Sequence, residues 1–597
     1  MRIALVCVAA AGLLPAQDGS TLYDRTCASC HNGGNDRAPS RDALRSMSAD
    51  RVLAAMETGP MISMAVRLST ADRRAIAEFV SGKPIGQPLV TTPPAKAMCA
   101  GEIFTPAAAS WTGWGADASN TRFQPTPGIA AADVPRLKVK WAFAFPGDIQ
   151  AYSQPTIAGS RVFVGSPGGK VYSLDAKTGC VHWFFDAEAG VRSAVTLANN
   201  AVFFGDAKAN VYAVNSATGK QLWKTKADAF PVAGITGSPV VHNGRVYIGI
   251  RSGEEAAGAD PKYECCRFRG SLVALDAATG KQVWKTYLVD EPKRTTKNKA
   301  GAQLWAPSGV AVWSTPAIDT RRNIVYITTG NNYTDPATRL SDAFVALDLN
   351  SGKILWSRQM TPKDAYTSAC RLPDKTNCAE SNGPDFDFGS SPILVTLANG
   401  KRALVAGQKS GVVWAVDPDN QGEVLWQTRV AKGGTAGGVQ WGSAVDQNNV
   451  YVAVSDIGRI MLTYTTSTDA DPKQGGGMFA LRLDNGERVW YTPPEPCGNR
   501  PRCSPAQSAA VSAIPGVVFS GSEDGHLRAY AAAGGTVVWD FDTAQTFETV
   551  NGVPGHGGSI DGPGAAIGGG MLFVNSGYPT AGGLPGNVLL AFSVDGK

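Results

Sequence analysis

Between residues 137 and 594, apolar and polar positions follow one pattern that recurs along the chain. Its clearest copy is LDAKTGCVHW at residues 174–183: an apolar run, a polar turn with glycine, and a second run that ends on tryptophan. This pattern predicts a β-hairpin. Short apolar runs precede the hairpins, for example at residues 161–164, 201–204, 245–248 and 324–327, so each copy predicts four strands. The tryptophans that close the copies are Trp141, Trp183, Trp223, Trp284, Trp356, Trp426, Trp490 and Trp539.

These tryptophans follow one another at a mean interval of about 57 residues, which suits a propeller blade with loop insertions. We therefore predict an all-β, eight-bladed propeller with tryptophan-docking motifs. Trp141 lacks the first half of its repeat, and the last strand, at residues 588–594, lacks a tryptophan. We expect the two halves to share one blade and close the ring, whereas an open β-solenoid would leave both unpaired.

The pattern is missing from the N-terminal part of the chain. Residues 1–16 contain Arg2, an apolar stretch and Pro15-Ala16, which is typical of a secretory signal peptide and too short to span a bilayer. Residues 17–82 predict a small all-α domain, whose last helix at 71–80 follows Ser69 as N-cap. The proline-rich residues 83–98 predict an extended linker, and the propeller is expected over residues 99–597.

The small domain contains the run Cys27-Ala28-Ser29-Cys30-His31, whose spacing suits covalent attachment of a c-type haem. Thioether bonds from Cys27 and Cys30 would fix the porphyrin edge to one helical turn, and His31 would bind the iron. This makes the small domain a predicted cytochrome c domain and electron carrier. The same run could be half of a zinc site, but no second Cys or His pair lies nearby.

A haem of this type takes a second axial ligand about 30 residues later, and four methionines lie in that region. We predict Met61, in the loop before the last helix, with Met64 as the alternative. Met47 and Met56 are expected to pack in the core of the small domain.

The cysteine count indicates an oxidising compartment. Setting aside Cys7, in the signal segment, and the two haem cysteines leaves an even number of the 11 cysteines. Proximity in sequence predicts three disulfides, and elimination leaves a fourth. The predicted pairs are Cys265 with Cys266, Cys370 with Cys378, Cys497 with Cys503, and Cys99 with Cys180.

Charge and hydropathy give no indication of a nucleic-acid partner or of a membrane span. A net charge of +5 over 597 residues, without a basic run, does not indicate nucleic-acid binding. No segment after the signal peptide has 18 consecutive apolar residues, so no membrane span is predicted. We expect a mature periplasmic protein.

Several motifs together resemble the family of PQQ-dependent alcohol dehydrogenases (PQQ, pyrroloquinoline quinone). They are the tryptophan-docking repeat, the Cys265-Cys266 doublet, and inserted segments between the repeats. The haem run, WTGWG at residues 111–115, NTRF at 120–123 and YECCRFRG at 263–270 resemble the branch that oxidises polyvinyl alcohol. The resemblance covers essentially the whole mature chain. A docking motif alone would be weak, because assembly propellers without catalysis carry it too.

In this family the quinone lies on the propeller axis between a tryptophan and a vicinal disulfide. By the resemblance, Trp313 is the stacking tryptophan. The doublet Cys265-Cys266 either covers the cofactor or fixes its own loop, because in the methanol-oxidising branch the doublet lies one blade earlier. The other positions that match cofactor contacts are Arg192, Thr236, Lys409 and Trp441.

The resemblance also implies a metal site and a catalytic base. Glu255 and Asn331 match the carboxylate and amide ligands of Ca²⁺, a cation that prefers oxygen donors. Their neighbours Glu254 and Asn332 are the alternatives and are expected at the surface. Asp385 aligns with the general base, after a displaced TPKD segment at residues 361–364. The motif adds Asp387 as a further ligand, which leaves Ca²⁺ and a lanthanide both open; alternatively, the aspartates form an Asx turn.

The implied function is periplasmic oxidation of alcohol groups, with secondary alcohols of a polyvinyl alcohol-like polymer or another polyol as the expected substrates. Hydride would pass to the quinone while Asp385 takes the proton, and single electrons would leave through haem c to an external cytochrome c or copper protein. Two alternatives remain: a PQQ dehydrogenase for a sugar or a small or alicyclic alcohol, and a non-catalytic binding or assembly propeller.

Overall fold

A computed structural model describes residues 18–32, 38–45, 47–57, 61–65, 68–87, 92–101, 109–461, 468–498, 500, 503–579 and 583–596. The predicted signal peptide at 1–16 lies outside these residues. Contacts divide the chain into two units: residues 1–35 with 39–90, and residues 36–38 with 91–597. We describe each unit by itself.

The first unit is helical. The predicted helix at 71–80 is present and begins at Thr70; Ser69 Oγ accepts a hydrogen bond from Asp72 N (3.1 Å), and the Asp72 carboxylate accepts one from Ser69 N (3.1 Å). Met47 and Met56 are buried as predicted. The helices are Gly19–Thr26, Ala28–His31, Arg41–Arg45, Ala49–Glu57, Ile62–Ala65 and Thr70–Ser81.

The first residues of the predicted linker differ from expectation. Ile85 N donates to Glu78 Oε1 (3.0 Å), and Gly86 N donates to Asp50 Oδ2 (2.8 Å). Lys83 Nζ donates to the Met47 carbonyl oxygen (3.1 Å). These residues therefore pack against the helical unit, because its side chains satisfy backbone groups that an extended linker would leave to water.

The second unit contains eight antiparallel four-stranded sheets, which are the predicted blades. First strands of most neighbouring blades contact one another, so these strands surround a common axis. Blades 1 to 4 consist of Thr156–Ala158, Arg161–Gly165, Lys170–Asp175 and Val181–Asp186; Thr196–Ala198, Ala201–Gly205, Asn210–Asn215 and Gln221–Lys226; Val240–His242, Arg245–Ser252, Ser271–Asp276 and Gln282–Tyr287; and Ala317–Asp319, Ile324–Thr328, Ala343–Asp348 and Ile354–Gln359. Blades 5 to 8 consist of Ile393–Thr396, Arg402–Gly407, Val412–Asp417 and Glu423–Arg429; Ala444–Val445, Asn449–Ala453, Met478–Arg482 and Arg488–Thr492; Ser512–Ile514, Val517–Gly521, His526–Ala531 and Val537–Asp542; and Ala566–Gly568, Met571–Ser576, Val588–Ser593 and Lys138–Ala144.

Short elements are added to this ring. Ala109–Trp111 extends blade 1, and Ala233–Gly234 pairs with the second strand of blade 3. The separate hairpins are Lys293–Lys297 with Gln303–Ala306, Arg459–Met461 with Thr468–Ala470, and Thr546–Phe547 with Gly555–His556. The helical turns are Ala95–Ala97, Ala131–Arg136, Glu254–Ala257 and Ser368–Arg371. Among the described residues, no helix is long and apolar enough to cross a membrane.

Blade 8 closes the ring as predicted. Its outer strand, Lys138–Ala144, comes from the N-terminal side of the propeller and pairs with the last strand of the chain, Val588–Ser593. Trp539 Nε1 in blade 7 donates to the Leu137 carbonyl oxygen (3.1 Å) beside that strand. Closure therefore joins the two ends of the propeller and removes the open sheet edges that a solenoid would expose.

The docking tryptophans fasten each blade to the next. Within the described residues seven of the eight do so by an indole hydrogen bond, and Trp356 does so by packing over Gly422 in the turn of blade 5. Trp183 Nε1 donates to the Ser216 carbonyl oxygen (2.9 Å) in the turn of blade 2. Its ring covers Gly219, where φ is +70° and a Cβ atom would lie 2.7 Å from the indole. The turn glycine is thus required both by the positive φ and by the close approach of the ring. Corresponding hydrogen bonds are made by Trp141, Trp223, Trp284, Trp426 and Trp490.

All four predicted disulfides are present: Cys99 with Cys180, Cys265 with Cys266, Cys370 with Cys378, and Cys497 with Cys503. Cys27 and Cys30 are free. The pairing inferred by elimination is therefore confirmed, and it attaches the segment before the propeller to the hairpin turn of blade 1.

We predict that Trp223→Ala lowers the free energy of unfolding by about 3–5 kcal/mol, because it removes a buried aromatic ring and its inter-blade hydrogen bond. The neighbouring Leu222 is 55% exposed, so Leu222→Ala is the matched control, with a change of about 0.5 kcal/mol or less. Urea unfolding followed by far-UV circular dichroism measures both. Equal losses in the two variants would contradict the docking role.

Candidate active site

A cavity lies where loops enter the first strands of the blades. Trp313, before Ala317–Asp319, lies in one wall together with Gly389, before Ile393–Thr396. A Cβ atom at Gly389 would lie 2.0 Å from the Trp313 ring, so glycine is required for this approach. Of the predicted cofactor residues, Arg192, Thr236, Trp313 and Trp441 line this one cavity; the other residues lining it include Trp114, Tyr152, Thr315, Ser391 and Pro563.

Arg192 lies among aromatic rings in the cavity. Its guanidinium carbon is 4.6 Å from the ring centroid of Trp441, and it donates a hydrogen bond to the Tyr578 hydroxyl. Trp441 and Trp313 are nearly perpendicular, with ring centroids 5.2 Å apart. Flat rings and a cation together favour a planar, anionic ligand.

A buried cluster of charges adjoins this cavity at Lys409. Lys409 Nζ is 2.9 Å from Asp385 Oδ1 and 3.1 Å from Asp387 Oδ2, and it lies 5.6 Å from the centroid of the Trp313 ring. Arg371 NH2 lies 3.7 Å from Asp385 Oδ2. The structure therefore brings the predicted base, the predicted extra ligand and the predicted cofactor lysine together beside the predicted stacking tryptophan.

Burial and crowding of like charges act on these carboxyl groups. Burial raises the pKa of Asp385 well above its usual range; Lys409 opposes the shift, and Asp387 and Glu255 increase it. Burial likewise raises the pKa of Glu255 to about 7, against the opposing charge of Lys409. Burial alone would lower the pKa of Lys409, but the surrounding carboxylates raise it above its ordinary value. The ammonium group therefore stays charged and compensates the cluster.

Asp364 fixes the backbone that carries Asp385. Its carboxylate accepts hydrogen bonds from Asp385 N (3.2 Å) and Phe386 N (2.7 Å), and Asp385 has a φ of +61°. Burial raises the pKa of Asp364 to about 6. Asp364 thus holds an uncommon backbone conformation that directs Asp385 towards Lys409.

Neighbouring backbone groups hold the side chain of Asn331 through its amide nitrogen, which leaves the amide oxygen free. Its Nδ2 donates to the carbonyl oxygens of Asn332 (2.6 Å) and Tyr366 (2.9 Å), and its backbone N donates to Asp387 Oδ1 (2.6 Å). Because both amide protons are used, the free acceptor of the side chain is the oxygen, which is the donor that a hard cation takes.

Glu254 and Asn332, expected at the surface, are buried. The Glu254 carboxylate accepts hydrogen bonds from Arg267 N (2.8 Å), Phe268 N (2.6 Å) and the Tyr263 hydroxyl (3.1 Å). Asn332 Nδ2 donates to the Ser308 carbonyl oxygen (3.0 Å), and its Oδ1 accepts from Thr338 N (2.6 Å). The expectation was wrong because both side chains satisfy loop backbone that is itself buried. Their oxygens accept hydrogen bonds, whereas no described residue donates one to the side-chain oxygens of Glu255 and Asn331.

The vicinal disulfide is buried in blade 3 and is not among the described residues that line the cavity. Trp305 N donates to the Cys265 carbonyl oxygen (2.8 Å), which joins the doublet to the hairpin strand Gln303–Ala306. Trp313 packs against the same apolar cluster. The doublet therefore helps to fix its own loop, and it belongs to the same apolar cluster as the stacking tryptophan.

Sequence reasoning missed several members of this site. Asp342 is fully buried, and no described residue donates a hydrogen bond to either carboxylate oxygen; burial and Asp364 raise its pKa well above the usual range. Tyr578 and Arg251 also belong to the surroundings of the cavity. Asp342 and Tyr578 lie in ordinary strand-end sequence with no local motif. Only Arg251, four residues before Glu255, stood close to a segment that could have indicated it.

In the helical unit, Cys27 and Cys30 lie on one helical turn, where His31 N donates to the Cys27 carbonyl oxygen (3.0 Å). His31 is buried, and its Nδ1 lies 2.8 Å from the Pro39 carbonyl oxygen. A carbonyl can only accept, so Nδ1 carries the proton and the neutral ring keeps its lone pair on Nε2. Met61 is half-buried and Met64 is 47% exposed.

Solved structures that resemble this chain share its fold. Quinohemoprotein alcohol dehydrogenase from Comamonas testosteroni matches with a TM-score of 0.61 and 19% identity over 82% of this chain and 81% of that chain. Quinohemoprotein alcohol dehydrogenase ADHIIG from Pseudomonas putida HK5 matches with a TM-score of 0.62 and 18% identity over 82% and 80%. At these identities the likeness shows the fold alone, which is the eight-bladed propeller.

Sequence relatives show the family of the chain. The chain is 45% identical to polyvinylalcohol dehydrogenase from Pseudomonas sp. over 99% of this chain and 95% of that protein. It is 40% identical to polyvinylalcohol dehydrogenase from Sphingopyxis sp. (strain 113P3) over 97% and 93%. The family model described as outer membrane protein assembly factor BamB matches residues 129–403. The chain belongs to the polyvinyl alcohol dehydrogenase family of PQQ-dependent alcohol dehydrogenases.

We predict that the cofactor-free protein loses stability as the pH rises from about 4.5 to about 7, and that Glu255→Gln reduces this loss. In that range the unfolded chain has already lost the Glu255 proton while the folded chain retains it, so rising pH favours unfolding. The expected difference in slope corresponds to about 1–3 kcal/mol across the range. Chemical unfolding at a series of pH values measures it.

Glu254→Gln is the matched control, because the neighbouring carboxylate accepts backbone hydrogen bonds that an amide group cannot all replace. We expect Glu254→Gln to destabilise the protein at every pH. If both glutamate variants showed the same loss and the same slope, the distinction between a free and a structural glutamate would be wrong.

Proposed function

We propose that this enzyme oxidises secondary alcohol groups, those of polyvinyl alcohol or a similar polyol, to ketones with PQQ, a bound cation and haem c. The observation that carries the proposal is the buried Asp385–Lys409–Asp387 cluster beside Trp313, in a chain 45% identical to a polyvinylalcohol dehydrogenase. PQQ dehydrogenation of another alcohol or of a sugar is the alternative that substrate tests separate.

The residues around the cavity fit a planar quinone with three carboxylates. Trp313 offers a face for stacking, Arg192 a cation held by Trp441 and Tyr578, and Thr236 a hydroxyl. When bound, PQQ would accept the hydride of the alcohol, which carries both electrons. Aromatic and cationic groups of this chain would orient the quinone and exclude water from it. We propose this role for Lys409 too, and keep the doublet Cys265-Cys266 as a loop-fixing neighbour.

We propose Glu255, Asn331 and Asp387 as the cation ligands. Among the described residues, no three acidic, histidine or cysteine side chains form a metal cage by themselves, so oxygens of the cofactor would have to complete the shell. The cation, Ca²⁺ or a lanthanide, would act as a Lewis acid on a cofactor oxygen. Five carboxyl groups lie close enough to act on one another beside the cations Lys409 and Arg371: Glu255, Asp342, Asp364, Asp385 and Asp387. A bound cation would favour their ionised forms, so the excess of acidic over basic groups supports cation binding.

Asp385 is our candidate for the general base. Its Oδ1 is hydrogen-bonded to Lys409, and its Oδ2 lies near Arg371, which is 55% exposed at the side chain. A base with a raised pKa accepts a proton from an alcohol near neutral pH better than an ordinary aspartate does. The charge of Lys409 opposes the rise in the pKa of Asp385 and so favours the ionised form that a base requires.

We propose that the helical unit, residues 17–82, is a cytochrome c domain whose haem takes electrons from the quinone. Cys27 and Cys30 would form the thioether bonds, and His31 Nε2 and the sulfur of Met61 would bind the iron. A signal peptide at residues 1–16 and the four disulfides fit a periplasmic protein. An external cytochrome c or copper protein would accept the electrons, and residues 83–98 would connect the cytochrome domain to a propeller over residues 99–597.

We expect Asp385→Asn to lower the rate of dye reduction by polyvinyl alcohol about 10²–10⁴-fold in protein loaded with PQQ and Ca²⁺, because the base is lost. Asp374→Asn, an exposed aspartate of the nearby disulfide loop, is the control and should retain the wild-type rate. Full turnover of the Asp385 variant would contradict the base. No turnover of any alcohol or sugar by loaded wild-type protein would contradict the proposed function.

We expect Met61→Leu to remove the sulfur-to-iron signature from the visible spectrum of the oxidised haem while the haem stays covalently bound. Met64→Leu is the matched control, since Met64 is exposed. Absorption and magnetic circular dichroism spectra of the purified proteins measure both. Loss of the signature in the Met64 variant alone would move the axial ligand to Met64.

A further inference from the structure

Arg251 contacts Thr236 of the cavity and precedes the proposed metal ligand Glu255 in the chain. It lies near the end of the blade 3 strand Arg245–Ser252, four residues before Glu255. It pairs with Gly234, and a Cβ atom at Gly234 would lie 2.8 Å from the Arg251 guanidinium carbon. The glycine therefore leaves room for the guanidinium to lie flat against the backbone.

The hydrogen bonds of Arg251 leave part of its guanidinium unused. Its Nε donates to Thr236 Oγ1 (3.1 Å), and Thr236 lines the cavity. Within the described chain, neither terminal nitrogen has a hydrogen-bond acceptor and no carboxylate forms an ion pair with Arg251. A guanidinium held by one nitrogen, with its terminal nitrogens unpartnered, is prepared to bind a carboxylate.

Arg122 is the contrasting buried arginine of the same propeller. Its Nε donates to the Val511 carbonyl oxygen (2.6 Å), NH2 donates to Ser512 Oγ (2.8 Å), and NH1 donates to the Trp114 carbonyl oxygen. All three nitrogens of Arg122 therefore bond to protein groups, as expected of a structural arginine. Arg251, which is half-buried, lacks these partners, so its position beside the cavity needs another explanation.

A second cation, Arg192, adds electrostatic repulsion at the position of Arg251. Burial, and after it the charge of Arg192, lowers the pKa of Arg251. Arg192 also has no ion pair within the described residues, where its partners are aromatic rings and the Tyr578 hydroxyl. Two like charges close together in a poorly hydrated cavity are unfavourable unless a ligand supplies the opposite charge.

We propose that Arg251, together with Arg192, binds a carboxylate of the quinone, and that Thr236 orients its guanidinium for this contact. The inference rests on the proposed function, since it takes PQQ as the ligand. One segment of blade 3 would then bind both ligands: Arg251 would bind a carboxylate of the cofactor, and Glu255 would bind the cation. No covalent bond changes in this step.

The test measures PQQ binding to the full-length protein by quenching of tryptophan fluorescence, without turnover. We expect Arg251→Gln to raise the Kd for PQQ about 10- to 100-fold, and Arg251→Lys to restore part of the affinity. The trimethyl ester of PQQ is the second ligand. Esterification should weaken binding to the wild-type protein more than to Arg251→Gln, because the variant has already lost the carboxylate contact.

Thermal unfolding of the cofactor-free proteins separates a binding role from a structural one. We expect the Tm of Arg251→Gln to equal or exceed that of the wild type, because the substitution removes an uncompensated charge. Arg122→Gln, the structural control, should lower the Tm. A Kd unchanged in Arg251→Gln, or an equal effect of esterification on both proteins, would overturn the inference while leaving the proposed function intact. Failure of wild-type protein to bind PQQ would instead overturn the proposed function.

Discussion

The structure depends on one interaction repeated around the ring: an indole N–H of one blade bonded to a carbonyl oxygen in the turn of the next. Trp183 with Ser216 is the simplest case, and Trp539 with Leu137 is the case that closes the circle. A hydrogen bond of this kind contributes about 1 kcal/mol, and burial of the indole adds more. Repetition of the contact fixes the orientation of each blade relative to its neighbour. It thereby fixes the loops that enter the first strands and form the cavity.

The charged side chains that the propeller holds around the cavity are electrostatically unfavourable when no ligand is bound. Asp342 is buried without hydrogen bonds to its carboxylate, Asp385 has a raised pKa, and Arg192 and Arg251 lack counter-charges within the described residues. Such groups reduce the stability of a protein unless a ligand compensates them. The cluster of carboxyl groups suits a bound cation. The two arginines and the face of the tryptophan suit a planar, anionic quinone bound beside it. The stability of the blade framework offsets the unfavourable electrostatics of these charged groups.

The sequence was sufficient to predict the blades of the propeller because the signals for strands and turns are local and repeated. Strands, turn glycines and docking tryptophans each lie within about ten residues of one another, and the incomplete repeats at Trp141 and at the last strand predicted their own pairing. The disulfides followed from proximity and elimination. Residues 83–86 were assigned wrongly to an extended linker because their partners, Glu78 and Asp50, are ordinary surface residues in the sequence.

The cavity was harder to predict, since its members come from loops of different blades. Family motifs brought Arg192, Trp313, Trp441 and Lys409 to one place, but Glu254 and Asn332 were expected at the surface. Only the folded chain reveals that their acceptors and donors satisfy buried loops. Tyr578, nearly 400 residues from Arg192 in sequence, had no signal at all.

The most direct test of the account is a crystal structure of the protein loaded with PQQ and Ca²⁺. We expect the quinone against Trp313, and the cation within about 2.6 Å of oxygens from Glu255, Asn331 and Asp387. A cation bound away from these three residues, or a quinone bound outside the cavity at Trp313, would contradict the central claim.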